Sequence, residues 1–336
     1  MTSIPPRLAV GGGALVWEPP LVLAPMDGVT DPCFRELVAE ASGPALGGAC
    51  TEFVRVTDHP LPVERLAREL GPHRLPCPLG LQLMGNHAPA LAETAVRAAE
   101  AGADHVDLNF GCPAPRVFRS GAGSALLDDP PRLAALVAAV VAAAPLPVTV
   151  KIRAGVADDR RLEELVRRIA DAGAAAITVH ARLKVEPYSA PADWNRLRRA
   201  VAASPAPVVG NGSADSAAGV LAMFADTGCA AVMVGRGALA DPWVFRAAVE
   251  RAAGRSPEPV APAERVAWLR RYAARMLERG ASPAQALGRT KQALRAAAQA
   301  GRLPHPEGAR GLREALRADS LDGLLDPFLA GTRTSP

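Results

Sequence analysis

Short apolar runs alternate with helix-like segments along the first three quarters of the chain. Most of these runs are continuous rather than alternating in polarity, which is typical of parallel strands whose two faces are both covered. Gly, Pro or Asn bounds the runs, which occupy residues 21–26, 45–53, 79–85, 105–110, 147–152, 176–180, 207–210 and 231–235. The pattern therefore predicts eight strands of a parallel sheet.

Helix signals fill the segments between these runs. Asp31 and Pro32 form an N-cap and first-turn pair, and three later segments end at Gly102, Gly173 or Gly228, directly before the next run. The helical segments span residues 88–102, 128–144, 158–173, 194–203 and 215–228. Eight strand–helix alternations predict an α/β fold, the (β/α)8 TIM barrel. A doubly wound open sheet is the alternative, which the lack of a Gly-x-Gly-x-x-Gly motif after the first run disfavours.

The pattern changes after Gly254, where the strand signals stop. A proline-bearing linker at residues 256–262 leads into three arginine-rich amphipathic segments, which predict a small all-helical domain. These segments span residues 263–279, 282–300 and 309–318. We therefore expect a barrel domain at residues 1–255 and a C-terminal helical domain at residues 262–336.

Composition narrows the class of protein. Hydrophobic residues make up 49% and charged residues 21%, which is enough for a large core and excludes global disorder. Residues 1–20 lack the apolar core of a signal peptide, and the uncharged stretch at 133–150 contains two prolines that exclude a membrane span. The five cysteines show no CxxC spacing, which disfavours disulfides and structural zinc. We expect a cytoplasmic monomer with no metal and no membrane partner.

The formal net charge of +4 hides a contrast between two parts of the chain. Residues 262–336 carry 13 basic and 7 acidic residues, a net +6, whereas residues 1–261 have a net charge of −2. Basic residues repeat at four-residue spacing in two predicted helices, namely Arg271, Arg275 and Arg279, then Lys291 and Arg295. A basic helix face of this kind is solvated about as often as it binds a partner. Like charges at this spacing repel, however, and a polyanion such as RNA would offset that repulsion.

Polar side chains cluster at the ends of the predicted strands, where a barrel holds its active site. Glycines after the seventh and eighth runs, with Arg236, are typical of a barrel phosphate site. Lys151 is suited to stabilise the anion of a reduced flavin, and Gln82 offers a donor and an acceptor to the edge of its ring. Cys112 lies in a Gly-Cys-Pro loop. Its candidate roles are nucleophile and general acid, since a thiol with a pKa of about 8.5 is protonated at neutral pH.

Motifs at these strand ends resemble, in order along the chain, those of the tRNA-dihydrouridine synthases. They are Leu-Ala-Pro-Met-Asp-Gly-Val-Thr-Asp at residues 23–31, Gln-Leu-Met-Gly at 82–85, Asp-Leu-Asn-Phe-Gly-Cys-Pro at 107–113, Val-Lys-Ile-Arg at 150–153, Val-His-Ala-Arg at 179–182, Gly-Asn-Gly at 210–212 and Val-Gly-Arg-Gly-Ala at 234–238. Residues 51–56 and 289–292 are similar to the bacterial C-type subfamily, which reduces the D-loop uridine at tRNA position 16. The resemblance implies an oxidoreductase that reduces uridine to 5,6-dihydrouridine with FMN as cofactor and NADPH as reductant.

The resemblance also implies a role for each matching residue. Cys112 protonates C5 of uracil while flavin N5 delivers hydride to C6, Asn109 positions the base, and Arg55 and Tyr188 contact the RNA. FMN is held by Pro25, Met26, Asp27, Gln82, Lys151, His180, Asn211, Gly212, Ser213, Gly235 and Arg236. The basic tail and the subfamily-like stretch at 289–292 add five candidate tRNA contacts, Arg271, Arg275, Arg289, Lys291 and Arg295.

Two alternative functions fit parts of the same pattern. The first is a flavin-dependent barrel that reduces a free pyrimidine or an enone, which the basic tail disfavours because a small substrate needs no phosphate contacts. The second is an RNA-binding relative that has lost catalysis, which the intact motifs at Cys112, Lys151 and Arg236 disfavour.

Overall fold

The chain folds around a closed barrel of parallel strands. The computed structural model describes residues 3–329, and its strands are β1 (Leu8–Val10), β2 (Leu15–Trp17), β3 (Leu21–Leu23), β4 (Gly48–Cys50), β5 (Val54–Arg55), β6 (Leu79–Met84), β7 (His105–Phe110), β8 (Val148–Arg153), β9 (Ala176–His180), β10 (Val208–Asn211) and β11 (Ala231–Val234). Strands β3, β4 and β6 to β11 form the ring, which β11 closes by pairing with β3. All eight predicted strands are present, and the closure excludes the open sheet.

A hairpin of β1 and β2 covers the amino-terminal end of the barrel, and the sequence pattern does not predict it. Val10, Leu15 and Trp17 of the hairpin pack against Val22 on the inside of the barrel. Each strand of the hairpin has only three residues, and three glycines connect them, so neither length nor periodicity signals a strand. The opposite, carboxyl end of the barrel is left open for a site.

Helices surround the barrel strands. They are α1 (Pro32–Ser42), α2 (Val63–Leu70), α3 (Ala88–Glu100), α4 (Pro115–Arg119), α5 (Pro130–Ala143), α6 (Leu162–Asp171), α7 (Trp194–Ala203), α8 (Ala217–Thr227), α9 (Arg236–Ala240) and α10 (Val244–Ala252). The predicted start of α1 is confirmed, since the Asp31 carboxylate accepts a hydrogen bond from the Phe34 amide at 3.0 Å. The predicted helix-ending glycines Gly102, Gly173 and Gly228 have φ values of 95°, 92° and 68°, which residues with a Cβ rarely adopt.

The carboxyl-terminal segment is helical, as predicted. It forms α11 (Pro262–Glu278), α12 (Pro283–Gln299), α13 (Gly308–Ala315) and α14 (Leu321–Leu325). The sequence pattern does not predict α14, whose five residues are too few to show a helical period. Residues 330–336 of the predicted helical domain, and residues 1–2 of the predicted barrel domain, lie outside the described residues. The division into two domains stays a prediction.

Helix α11 packs directly on α1 of the barrel. The indole N–H of Trp268 donates a hydrogen bond to the carbonyl oxygen of Leu37 at 3.2 Å. The Phe34 ring lies edge-on to the rings of Trp268 and Tyr272, with centroids 5.7 Å and 5.8 Å away. The Tyr272 hydroxyl donates to the Asp31 carboxylate at 2.6 Å. The tail and the barrel therefore share one hydrophobic core.

Two further observations concern the helices and the thiols. No helix among residues 3–329 is both long and apolar enough to cross a membrane. All five cysteines are free, and four of them are buried, whereas Cys112 is partly exposed. Cys112 is therefore the thiol that a ligand at the open end of the barrel can reach.

Candidate active site

A cavity of ≈ 430 Å³ opens at the carboxyl ends of the barrel strands. Residues at or just after the carboxyl ends of β3, β7, β8, β9, β10 and β11 all contribute to its walls, as expected when parallel strands end at one rim. The structure brings together here the predicted residues Pro25, Met26, Asp27, Asn109, Cys112, Lys151, His180, Tyr188, Asn211, Gly212, Ser213, Gly235 and Arg236. Their individual roles stay predictions.

Four cations line the cavity, which makes it suited to an anionic ligand. They are Lys151, Arg153, Arg182 and Arg236. Burial lowers the pKa of Lys151 to about 8, and its ammonium makes no hydrogen bond or ion pair within residues 3–329. An unpartnered, partly desolvated ammonium gains most from a negatively charged ligand.

His180 is neutral in this surrounding. Burial, with the nearby charges of Lys151, Arg153, Arg182 and Arg236 acting in the same direction, lowers the pKa of its imidazole to about 2. Nη1 of Arg182 lies 3.3 Å from Nε2 of His180. Because a guanidinium only donates, Nε2 is the acceptor and the imidazole proton is on Nδ1.

The loop after β10 forms a backbone cradle on one side of the cavity. Gly212 and Ser213 have positive φ values of 111° and 61°. A Cβ at Gly212 would lie 3.0 Å from the His180 ring and 3.2 Å from Ala192, so a side chain there would crowd both residues. Ser213 is held in its strained conformation by hydrogen bonds from Arg182 and the Ala192 amide to its hydroxyl. Backbone N–H groups in such turns are typical of phosphate sites.

The Cys112 loop is fixed by hydrogen bonds to its backbone. Oδ1 of Asn109 accepts from the amides of Gly111 and Cys112 at 2.9 Å and 3.0 Å, and the Ser124 hydroxyl donates to the Cys112 carbonyl at 2.8 Å. Burial raises the pKa of the Cys112 thiol, although Arg153 acts in the opposite direction. The thiol therefore stays protonated at neutral pH, which favours a general acid over a nucleophile.

Besides the five candidate contacts of the carboxyl-terminal helices, two predicted site residues lie outside the cavity lining. Gln82 is only 1% exposed, and its amide is hydrogen-bonded on both sides, to Asp107 and to Asn109. Its contact with a cofactor stays a prediction. Arg55 lies on β5, which pairs with the carboxyl end of β6, and it does not line the cavity. The polar residues of a strand can point into the barrel as well as to its rim, which a linear pattern does not distinguish.

The sequence pattern also misses residues that the site contains. Arg153 and Arg182 each lie two positions after a predicted site residue, Lys151 and His180. Alternation along a strand places residues i and i+2 on one face, so this spacing was the signal for Arg153 on β8. Arg182 follows the end of β9, and its signal was its place among the polar residues at the strand ends. Glu52 follows β4 and carries no such signal.

The carboxylate of Glu52 holds the loop after β3. Its Oε2 accepts from the Gly28 amide at 3.1 Å, and its Oε1 accepts from the Val29 amide at 3.0 Å. Burial raises the pKa of Glu52, while the Gly28 amide and Arg289 act to lower it. The loop that contributes Asp27 to the cavity is thus anchored from a neighbouring strand end.

The arginine row on α11 has partners within the chain. Arg275 and Arg279 lie 2.7 Å and 2.6 Å from carboxylate oxygens of Glu40 and Glu36 on α1, and Arg271 lies 3.6 Å from Glu40. The repulsion along this row is therefore offset without any external polyanion. Repulsion along the row is therefore no argument for RNA at Arg271 and Arg275, and their contact with tRNA stays a prediction.

The basic residues of α12 differ from those of α11. Arg289, Lys291 and Arg295 make no hydrogen bond or ion pair with any residue between 3 and 329. Nη1 of Arg289 lies 3.1 Å from where a Cβ of Gly28 would be, next to the loop that Glu52 anchors. Gln292 of the same helix lines the cavity. Helix α12, rather than α11, therefore carries unpaired positive charge at the cavity mouth.

Comparison with known proteins gives a consistent set of relatives. A family model described as Dihydrouridine synthase (Dus) matches residues 22–316. The chain is 40% identical over 232 residues to the tRNA-dihydrouridine(16) synthase of Cupriavidus necator, covering 67% of this chain and 71% of that protein. It is 41% identical over 235 residues to the tRNA-dihydrouridine(16) synthase of Salmonella typhimurium, with coverages of 67% and 75%. It is 37% identical over 235 residues to the tRNA-dihydrouridine synthase B of Xanthomonas campestris, with coverages of 69% and 70%.

Two solved structures share the fold. Histamine dehydrogenase from Rhizobium sp. 4-9 matches with a TM-score of 0.56 and 14% identity, covering 74% of this chain and 47% of that one. The 6-hydroxypseudooxynicotine amine oxidase of Pseudomonas geniculata N1 matches with a TM-score of 0.55 and 16% identity, covering 73% and 49%. The chain thus spans about half the length of these two proteins. At such identities the likeness is one of fold alone.

Proposed function

Because the chain belongs to the dihydrouridine synthase family, we propose that it reduces a uridine in the D-loop of tRNA to 5,6-dihydrouridine, using FMN as cofactor and NADPH as reductant. The observation that carries the proposal is the partly exposed Cys112 thiol, whose pKa is raised by burial, at the mouth of a cation-lined barrel. Position 16 is the proposed target, because two of the relatives bear that position in their names and residues 51–56 and 289–292 fit that subfamily. A cytoplasmic location is part of the proposal.

The residues of the cavity fit FMN. The glycine-lined cradle at Gly212 and Ser213, together with Arg236, suits the phosphate dianion, and Lys151 suits negative charge on the ring. When bound there, FMN would supply the hydride for C6 of uracil. The chain contributes binding, orientation and the second hydrogen, which must arrive as a proton.

Cys112 is the proposed source of that proton. Its neutral thiol donates to C5 of uracil, so that hydride at C6 and a proton at C5 together saturate the C5–C6 bond. The positive charges of Arg153 and Lys151 favour the thiolate that remains, until solvent returns its proton. Asn109 keeps the loop in place through the backbone rather than by contact with the thiol.

A base in a folded tRNA must leave its stack to reach this cavity. Tyr188 is 52% exposed at the mouth, and its ring lies 5.1 Å from the guanidinium of Arg153 and 5.4 Å from that of Arg236. An exposed ring held in this way is suited to stack on an unpaired base. The unpaired cations of α12 are suited to the surrounding phosphates.

The proposed reaction is tested with purified protein, FMN, NADPH and an unmodified tRNA transcript. We expect dihydrouridine at position 16, mapped by primer extension after alkaline cleavage, and no comparable turnover of free uridine or of a simple enone. Efficient reduction of the small substrates would instead support the flavin-barrel alternative. Protein that binds tRNA but takes up no flavin would support the alternative without catalysis.

Replacing Glu52 by alanine is expected to weaken FMN binding by roughly tenfold or more, since two hydrogen bonds from a carboxylate to the cofactor loop are lost. Glu52→Gln keeps one acceptor oxygen, and its dissociation constant for FMN is expected to lie between those of the parent and the alanine variant. Quenching of flavin fluorescence gives the dissociation constants. Unchanged binding in the alanine variant would show that the loop holds its shape without Glu52.

Replacing Arg289 by alanine is expected to weaken tRNA binding and to lower the slope of log Kd against log salt concentration by about one. Arg271→Ala is the matched control, because Arg271 lies on α11 and already faces Glu40. That control is expected to leave the slope unchanged. Filter-binding titrations across salt concentrations measure the tRNA affinity and the slope of each variant. Equal slopes for the two variants would contradict the assignment of α12 to the RNA.

A further inference from the structure

Four polar side chains are buried in a row that ends at the Cys112 loop. Thr149, Asp107, Gln82 and Asn109 are exposed by only 3%, 3%, 1% and 8%. Oγ1 of Thr149 donates to Oδ1 of Asp107 at 2.6 Å, and Nε2 of Gln82 donates to Oδ2 of Asp107 at 2.6 Å. Nδ2 of Asn109 then donates to Oε1 of Gln82 at 2.7 Å. The row therefore runs without a gap from β8 to the loop.

The sheet itself sets the spacing of this row. Gln82 and Asp107 are direct cross-strand partners on β6 and β7, and Asp107 and Thr149 are partners on β7 and β8. Partners in parallel strands point to the same face, so the three side chains meet inside the barrel. Asn109 lies two residues after Asp107 on that same face.

Asp107 gives the row its direction. Its two carboxylate oxygens accept from Thr149 and Gln82, so Gln82 must present its NH2 group to Asp107 and its oxygen to Asn109. Asn109 in turn must present its NH2 group to Gln82, which leaves its oxygen for the amides of Gly111 and Cys112. Reversing either amide would place two donors or two acceptors face to face in a dry interior.

We propose that Asp107 is a positioning residue, which acts through Gln82 and Asn109 to hold the Cys112 thiol at the cavity mouth. Asp107 touches neither the thiol nor the cavity. The inference rests on the proposed role of Cys112 as the proton donor. It extends that role by assigning the orientation of the donor to a carboxylate buried in the barrel.

The test compares three variants of the full-length protein. Asp107→Leu removes both acceptors of the row. Asp107→Asn keeps an oxygen for Gln82 and turns its NH2 group to the Thr149 hydroxyl, which is able to accept. It therefore preserves the row while removing the negative charge near Lys151. Gln82→Met cuts the row between Asp107 and Asn109 and leaves the carboxylate in place.

The first readout is the pH dependence of Cys112 alkylation by iodoacetamide, which requires no turnover. The four other cysteines are buried, and Cys112→Ala gives the background. We expect Asp107→Leu and Gln82→Met to change the alkylation rate and its apparent pKa alike, because both free the loop. Asp107→Asn is expected to show the same alkylation rate and apparent pKa as the parent protein. The second readout is kcat on tRNA, expected to fall by roughly 10- to 100-fold in the two disrupting variants with little change in KM.

The alkylation profiles decide the inference. Parent-like profiles for Asp107→Leu and Gln82→Met would overturn it, as would an Asp107→Asn profile as disturbed as that of the leucine variant. If Asp107→Leu does not fold, Gln82→Met decides alone. A protein that shows the expected alkylation pattern but no dihydrouridine formation would contradict the proposed function and leave the positioning of the thiol standing.

Discussion

Replacing Cys112 by alanine is expected to lower the rate of dihydrouridine formation by about 100- to 10,000-fold, the range that a positioned general acid contributes. The hydrogen bonds that shape the loop are made by the backbone of residue 112, so alanine preserves them. Flavin absorbance and tRNA affinity are therefore expected to stay at the parent level. Single-turnover assays with the flavin reduced beforehand isolate the step.

Two controls define what this loss means. Cys229→Ala removes a buried thiol elsewhere in the barrel and is expected to leave turnover unchanged. Cys112→Ser retains a donor of much higher pKa and is expected to recover only part of the rate. If Cys112→Ala loses flavin, tRNA binding and turnover together, the cysteine supports the structure rather than the reaction.

Replacing Lys151 by methionine is expected to stabilise the flavin-free protein while it weakens FMN binding. The pKa of Lys151 is about 8 in the folded chain, against an ordinary value of 10.5. Between these pH values the unfolded chain binds more protons than the folded one, so stability rises with pH. Below pH 8 the charged form is present in both states and its burial costs the full amount. Methionine removes this cost, and we expect a higher melting temperature at pH 7.

Binding of FMN should show the complementary pH dependence. An anionic ligand raises the pKa of Lys151, so binding takes up a proton above pH 8 and the dissociation constant of FMN rises there, by at most about tenfold per pH unit. The methionine variant should lack this contribution, whereas Lys151→Arg should keep the charge at every pH tested. Fluorescence titrations between pH 7 and 10 measure the effect. Identical pH profiles for parent and methionine variant would show that Lys151 is remote from the bound anion.

Much of the fold follows from local pattern. Continuous apolar runs give the eight barrel strands, and Asp31 and the glycine at residue 102 give helix ends, because caps and strand burial are set by nearby residues. The hairpin at Leu8–Val10 and Leu15–Trp17 is missed because its stability comes from the barrel interior that it covers. Tertiary packing decides such short elements.

The site, too, can be predicted from the sequence only in part. Parallel topology brings the strand-end residues to one rim, so Lys151 and Arg236 are found from position alone. The partners of the α11 arginines cannot be found from the sequence, because Glu36 and Glu40 are more than 200 positions away from them. The sequence does not show that Gln82 belongs to a buried row of hydrogen bonds. A polar residue within a strand can be recognised, but its hydrogen-bond partner depends on which strands lie next to it.

The packing of α11 on α1 limits how this protein can be divided. Trp268 and Tyr272 are buried against Phe34, and Asp31 both caps α1 and accepts from Tyr272. Heating should therefore melt the whole chain in one cooperative transition. A protein shortened before Pro262 would expose the apolar surface of α1 that α11 covers, and we expect it to aggregate. The carboxyl-terminal helices are thus fixed to the barrel by a shared core, and we expect a fragment that ends before Pro262 to be inactive by itself.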